Sequence, residues 1–112
     1  MLATLQRDIT SALFIEDFMP TYVSANVTVT DPSKLKTYLD ALPATLAPYG
    51  GTLVCRGKVV KSLFGQANFQ LVATFEFADV QTAEDWYQSP AYQALIPNRD
   101  EAIQGSIVIL QG

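Results

Sequence analysis

TYVSANVTVT, residues 21–30, alternates strictly: Val23, Ala25, Val27 and Val29 fall on one face, and Tyr22, Ser24, Asn26 and Thr28 on the other. A period of two, rich in β-branched residues, marks a half-buried strand, because successive side chains along a strand point to opposite faces. Asp31-Pro32 follows at once. Aspartate accepts from the unpaired amides that open a helix, and proline suits the first helical position, where its missing N–H costs nothing. Leu35, Tyr38, Leu39, Leu42 and Leu46 then recur at helical spacing. The strand therefore passes directly into a helix, expected from 32 to about 47. Pro43 is expected to bend it, and Tyr49-Gly50-Gly51 to end it with residues that tolerate positive φ.

The rest of the chain takes its place around this unit. TLVCRGKVV (52–60) and FQLVATFEF (69–77) read as two further strands, with a loop containing Gly65-Gln66-Ala67-Asn68 between them. So short a connection makes them antiparallel neighbours. Asp79 caps a short helix carrying Val80, Ala83, Trp86 and Tyr87; Ser89-Pro90 stops it and starts another by the logic of Asp31-Pro32. SIVIL (106–110) closes the chain as a last strand. The order β-α-β-β-α-β implies an α+β, ferredoxin-like fold: a four-stranded antiparallel sheet with helices on one face. Parity assigns Tyr22, Ser24, Asn26, Arg56, Lys58, Thr74 and Glu76 to the face without helices.

Composition excludes several kinds of function. The chain has 112 residues, enough for one core, with 49% apolar and only 16% charged residues. That surplus of core material points to a subunit interface. Net charge is −4 with no basic run, so the positive footprint of a nucleic-acid binder is missing. There is no histidine. The commonest general base, metal ligand and haem ligand is thereby absent, and Ser–His and Cys–His nucleophile pairs are impossible within the chain. Cys55 stands alone in an apolar run and is expected in the core. MLATLQRDITSALFIEDF carries acids at Asp8, Glu16 and Asp17 and does not read as a signal peptide. No stretch approaches the roughly 20 apolar residues that cross a bilayer, so a cytoplasmic protein without membrane contact is expected.

YLDALPATLAPYGGTLVCRGKVV, FEF, AEDWYQSPAYQALIPNRDEA and IVILQG, in this order and spacing, resemble the DUF1330 family of the dimeric α+β barrel superfamily. The resemblance runs from about Pro20 to Gly112 and departs at Ala78, where the family usually has proline. It implies two ferredoxin-like sheets pairing face to face as a homodimer. Relatives in that superfamily include cofactor-free monooxygenases, lactone isomerases and haem enzymes, and the haem branch usually depends on a histidine absent here. Met19-Pro20 looks like the usual start of a family member. Residues 19–112 are then the domain and 1–18 an extension. Leu2, Leu5, Ile9, Ala12 and Leu13 share one helical face, so this extension is expected to be helical and to cover apolar surface.

Candidate site residues follow from the strand faces and the broken helix. Arg56 and Glu76 are placed by parity on one face of adjacent strands, where burial requires that they pair or meet a ligand. An ion pair is the simpler reading. As a site, Glu76 serves as base, Arg56 grips an anion, and Asn26 on the same face adds a polar contact. Tyr87 and Tyr92 bracket the helix break and are expected to angle toward a cavity mouth, with Trp86 more a core residue than a ligand contact. Arg99 either pairs with a surface acid or joins Arg56 in binding an anionic ligand. The functional expectation is an enzyme without metal or cofactor, acting through Glu76 and Tyr87 on a small anionic or aromatic molecule. The alternatives are a non-catalytic binding module and an interaction dimer whose interior is filled by side chains.

Overall fold

The computed structural model describes residues 20–112. The expectations for residues 1–18 lie outside the described residues. Strand β1 (Thr21–Val29) leads through Asp31 into helix α1 (Pro32–Leu46), and a short 3-10 turn (Ala47–Tyr49) precedes β2 (Thr52–Lys58). After β3 (Leu71–Phe77) come three helical pieces, α2 (Val80–Gln88), α3 (Pro90–Gln93) and α4 (Ile96–Ala102), before β4 (Ile103–Gln111). The four strands form one antiparallel sheet in the order β2-β3-β1-β4, which is the ferredoxin-like arrangement.

The local signals act as expected at most junctions. The Asp31 carboxylate accepts from the amides of Ser33 and Lys34 at 3.0 and 3.2 Å. The Ser33 hydroxyl, then the Lys34 amide, hold this carboxyl below its ordinary range. α1 continues through Pro43 to Leu46, and Gly50, at φ +67°, ends the turn in the left-handed region that glycine enters without a Cβ clash. Tyr38, Leu42 and Leu46 of α1 join Val23, Phe77, Ala83, Trp86 and Tyr92 in one core between the helices and the sheet. Leu39, expected with them, is partly exposed over the sheet edge.

Two departures matter for function. The connection between β2 and β3 occupies residues 59–70, longer than the expected loop, and the strands are correspondingly shorter. β2 carries a bulge: Leu53 faces Phe75, but Cys55 already faces Thr74. One extra residue, Val54, therefore reverses the parity of everything after it. Arg56 sits opposite Ala73 on the helix side, and Cys55 lands on the open face, exposed rather than in the core. Every residue of β2, an edge strand, is exposed.

Candidate functional site

The break between α2 and α3 is built by one hydroxyl. Ser89 is extended (φ −63°, ψ 146°); its Oγ donates to the Trp86 carbonyl at 2.7 Å and accepts from the Tyr92 amide at 3.2 Å. It thus closes one helix and caps the next, with Pro90 in the first turn of α3. Ser89→Ala removes both bonds at a buried position, and a loss of about 1–2 kcal/mol in urea unfolding is expected.

This turn stacks three aromatic rings. Trp86 and Tyr92 lie 4.6 Å apart by centroid, and Tyr87 and Tyr92 5.0 Å. Trp86 is buried with its Nε1 donating to Thr45 Oγ1 at 3.0 Å, so it is a core residue. Tyr92 is fully buried and shares a 2.8 Å hydrogen bond between its hydroxyl and that of Tyr38. It does not reach a cavity mouth, as its position in the sequence suggested. Burial, and then the neighbouring Tyr92, push the Tyr38 phenol far above its ordinary value of 10.0. The fold therefore favours neutral Tyr38. The stability this contributes is intact below pH ~10 and is lost as pH rises further, so alkaline unfolding and tyrosinate absorbance should appear together in a pH titration.

Arg99 reaches back from α4 into this cluster. Its Nη1 donates to Tyr87 Oη at 2.8 Å and Tyr92 Oη at 3.3 Å, while Nε and Nη2 donate to the Asp100 carboxylate at 3.1 and 2.9 Å. Burial alone would lower its pKa; the bonds to Tyr87, Tyr92 and Asp100 outweigh that, and the net direction is upward. Of five guanidinium N–H groups only one, on Nη2, is left over, and the charge is already paired with Asp100. Arg99 is a structural clamp on the tyrosines more than a free anion receptor. Tyr87 is different. Its oxygen accepts from Arg99, yet its own O–H has no acceptor among the described residues.

Tyr87 and Ile107 stand in the walls of two hollows. One, of about 400 Å³, lies between α2 and β4, floored by Val23, Ala83, Ile107 and Ile109 and rimmed by Gln81, Glu84, Asp85 and Gln88. The other, of about 170 Å³, adds Val27, Arg99, Asp100 and Gly105. Val23, Ala83, Ile107 and Ile109 give the larger hollow an apolar floor, Tyr87 is common to both hollows, and the acidic rim of the larger one disfavours an anion.

The remaining expected site residues lie elsewhere. Glu76 and Asn26 occupy the open face, where Glu76 faces Tyr22 and Asn26 donates to Ser24 Oγ at 3.3 Å. Arg56, on the helix side at the β2 edge, borders a small apolar gap with Leu39, Leu42 and Phe75. The bulge thus separates Arg56 from Glu76, and no ion pair forms between them. The sheet likewise separates Glu76 from Tyr87, so these two cannot act in one pocket of a protomer. Tyr38 was missed as part of the cluster: its core-like helical spacing gave no hint that its hydroxyl would meet that of Tyr92. Among the described residues no three Cys, Asp or Glu side chains are grouped to hold a metal ion. No helix among them is long and apolar enough to cross a membrane.

Comparison with solved structures agrees with this architecture. The RPA0582 protein of unknown function from Rhodopseudomonas palustris superposes with a TM-score of 0.73 at 16% identity, over 94% of this chain and 95% of that one. SnoaB, a cofactor-independent oxygenase from Streptomyces nogalater, gives 0.59 at 12% identity, over 85% and 93%. A dimeric ferredoxin-like protein of unknown function from Bacteroides fragilis gives 0.53 at 14%, over 84% and 96%. No curated protein matches the chain. Residues 20–112 match the family model described as a domain of unknown function, DUF1330, and the chain belongs to that family.

Proposed function

We propose that this protein binds a small, neutral, largely apolar organic molecule between α2 and β4, with the Tyr87 hydroxyl donating to a carbonyl or similar oxygen on it. The observation that carries this reading is Tyr87, which lines both hollows and whose hydroxyl accepts from Arg99 at 2.8 Å and has no acceptor of its own among the described residues. Of the three rings only Tyr87 is part-exposed where it lines the hollow, and an aromatic ligand would pack against that single ring. The acidic rim of Glu84 and Asp85 replaces the anionic preference expected from the arginines with a neutral one. The same fold houses a cofactor-independent oxygenase in SnoaB, so turnover without a cofactor is compatible with it. In such a reaction Tyr87 would stabilise negative charge developing on the ligand oxygen.

A thermal-shift screen with flat aromatic ketones, lactones and phenols tests the proposal. Neutral compounds should raise the melting temperature, and Tyr87→Phe should weaken their binding by roughly 10–100-fold while the fold persists. Equal affinity for Tyr87→Phe would remove the hydroxyl from the reading. Product analysis on the compounds that bind then separates an enzyme from a binding module.

The assembly in which this site works is proposed to be a homodimer joined through the open sheet face. That face combines polar Tyr22, Asn26 and Glu76 with half-exposed Val72, Val108 and Leu110, more apolar than a solvated surface requires. The description of the Bacteroides fragilis protein as dimeric supports it. Light scattering at micromolar concentrations should return twice the 12.3 kDa chain mass.

A further inference from the structure

We propose that residues 59–70 form an arm that clasps a second copy of this chain; the proposal rests on the sheet-to-sheet dimer above. The base of this segment is firmly tied. The Val59 amide donates to the Gln70 carbonyl at 2.7 Å, the Gln70 amide to the Val27 carbonyl at 2.8 Å, and Gln70 Oε1 accepts from the Val29 amide at 3.1 Å. Its tip is a shaped turn, with Ser62 Oγ 2.7 Å from the Gly65 carbonyl oxygen and Gly65 at φ +70°. Yet the tip presents Val60, Leu63 and Phe64 at 95, 92 and 98% exposure. Among the described residues nothing covers these three large apolar side chains, and an ordered loop that offers them to water suits a burial partner.

Two observations identify that partner as a second copy. Under the tip lies a hollow of about 540 Å³ walled by Val60 and Leu63 on one side and by Cys55, Gly57 and Val72 on the other. Cys55, Gly57 and Val72 belong to the open face, so the arm overhangs the very surface proposed as the interface. Charge is complementary as well. Residues 41–75 contain Arg56, Lys58 and Lys61 and no acid, whereas the remainder of the chain is strongly acidic. An anionic bilayer would meet a protein of net charge −4, but a second copy offers the arm matching acids.

The test is sedimentation across a dilution series of the full chain, its Leu63→Ser/Phe64→Ser variant and a Val108→Arg variant of the open face. Both replaced tip residues are almost fully exposed, so the variant protomer should fold with unchanged circular dichroism. Its dimer should dissociate at roughly 100-fold higher concentration. In the wild type, amide exchange at residues 60–67 should slow as concentration rises. A tip variant that dimerises like the wild type, with Val108→Arg monomeric, overturns the arm and leaves the sheet interface standing. If Val108→Arg remains dimeric and the tip variant does not, the sheet interface falls and the arm survives. A wild type that stays monomeric overturns both. Binding of the wild type to vesicles of mixed zwitterionic and anionic phospholipid, lost in the tip variant while its dimer is unchanged, assigns the tip to a membrane and overturns the clasp.

Discussion

Gly105→Ala is expected to be among the most damaging single substitutions in this chain, costing about 4 kcal/mol or more in urea unfolding. Gly105 lies in β4 opposite Val27 at φ +145°, a backbone conformation that side-chain-bearing residues rarely adopt. A Cβ there would strike the Asn26 carbonyl oxygen and come within 2.8 Å of Val27 Cα. Both obstacles are backbone atoms of the central strand and cannot swing aside as the end of a long side chain would. β4 would have to withdraw from β1 at this point. Gly105 also borders the smaller hollow beside Tyr87 and Arg99, so the damage would extend to the candidate site. The measurement that checks this is a denaturant midpoint beside Gly57→Ala, where an added Cβ meets nothing within 4 Å. Equal midpoints for the two variants would show that β4 absorbs the contact.

Trp86→Ala is the second large effect, expected at about 3–5 kcal/mol. Trp86 is 2% exposed, packs on Phe77 at 5.4 Å and on Tyr92 at 4.6 Å by ring centroid, and donates to Thr45. Removing the indole opens a cavity at the junction of α2, β3 and the turn after α1. Trp86→Phe should cost markedly less. Most of the ring contact survives, and Thr45 Oγ1 keeps its own bond to the Leu42 carbonyl at 2.7 Å. Comparing the two separates packing from hydrogen bonding. Because Tyr92 loses its stacking partner in the alanine variant, the clamp by which Arg99 holds Tyr87 should loosen too, weakening ligand binding beyond the stability loss.

What the amino-acid sequence determined by itself was the set of elements and their order. Period-two alternation in 21–30, the cap signals at Asp31, Asp79 and Ser89, and the helical spacing of Tyr38, Leu42 and Leu46 are local, and local backbone chemistry decided them. The ferredoxin-like sheet followed, because so few topologies join those elements. The neighbourhood of Tyr87 and Tyr92 was also legible, since Ser89-Pro90 breaks a helix wherever it stands. The site as a whole was not. A bulge adds one residue to one strand, and nothing in TLVCRGK marks Val54 as that residue; pairing with β3 alone decides it. That single register shift parted Arg56 from Glu76 and brought Cys55 to the surface. The bond between Tyr38 and Tyr92 and the hold of Arg99 on two phenols depend on helical pieces meeting across the core. Contacts of that kind are selected by packing, which the tertiary structure alone decides.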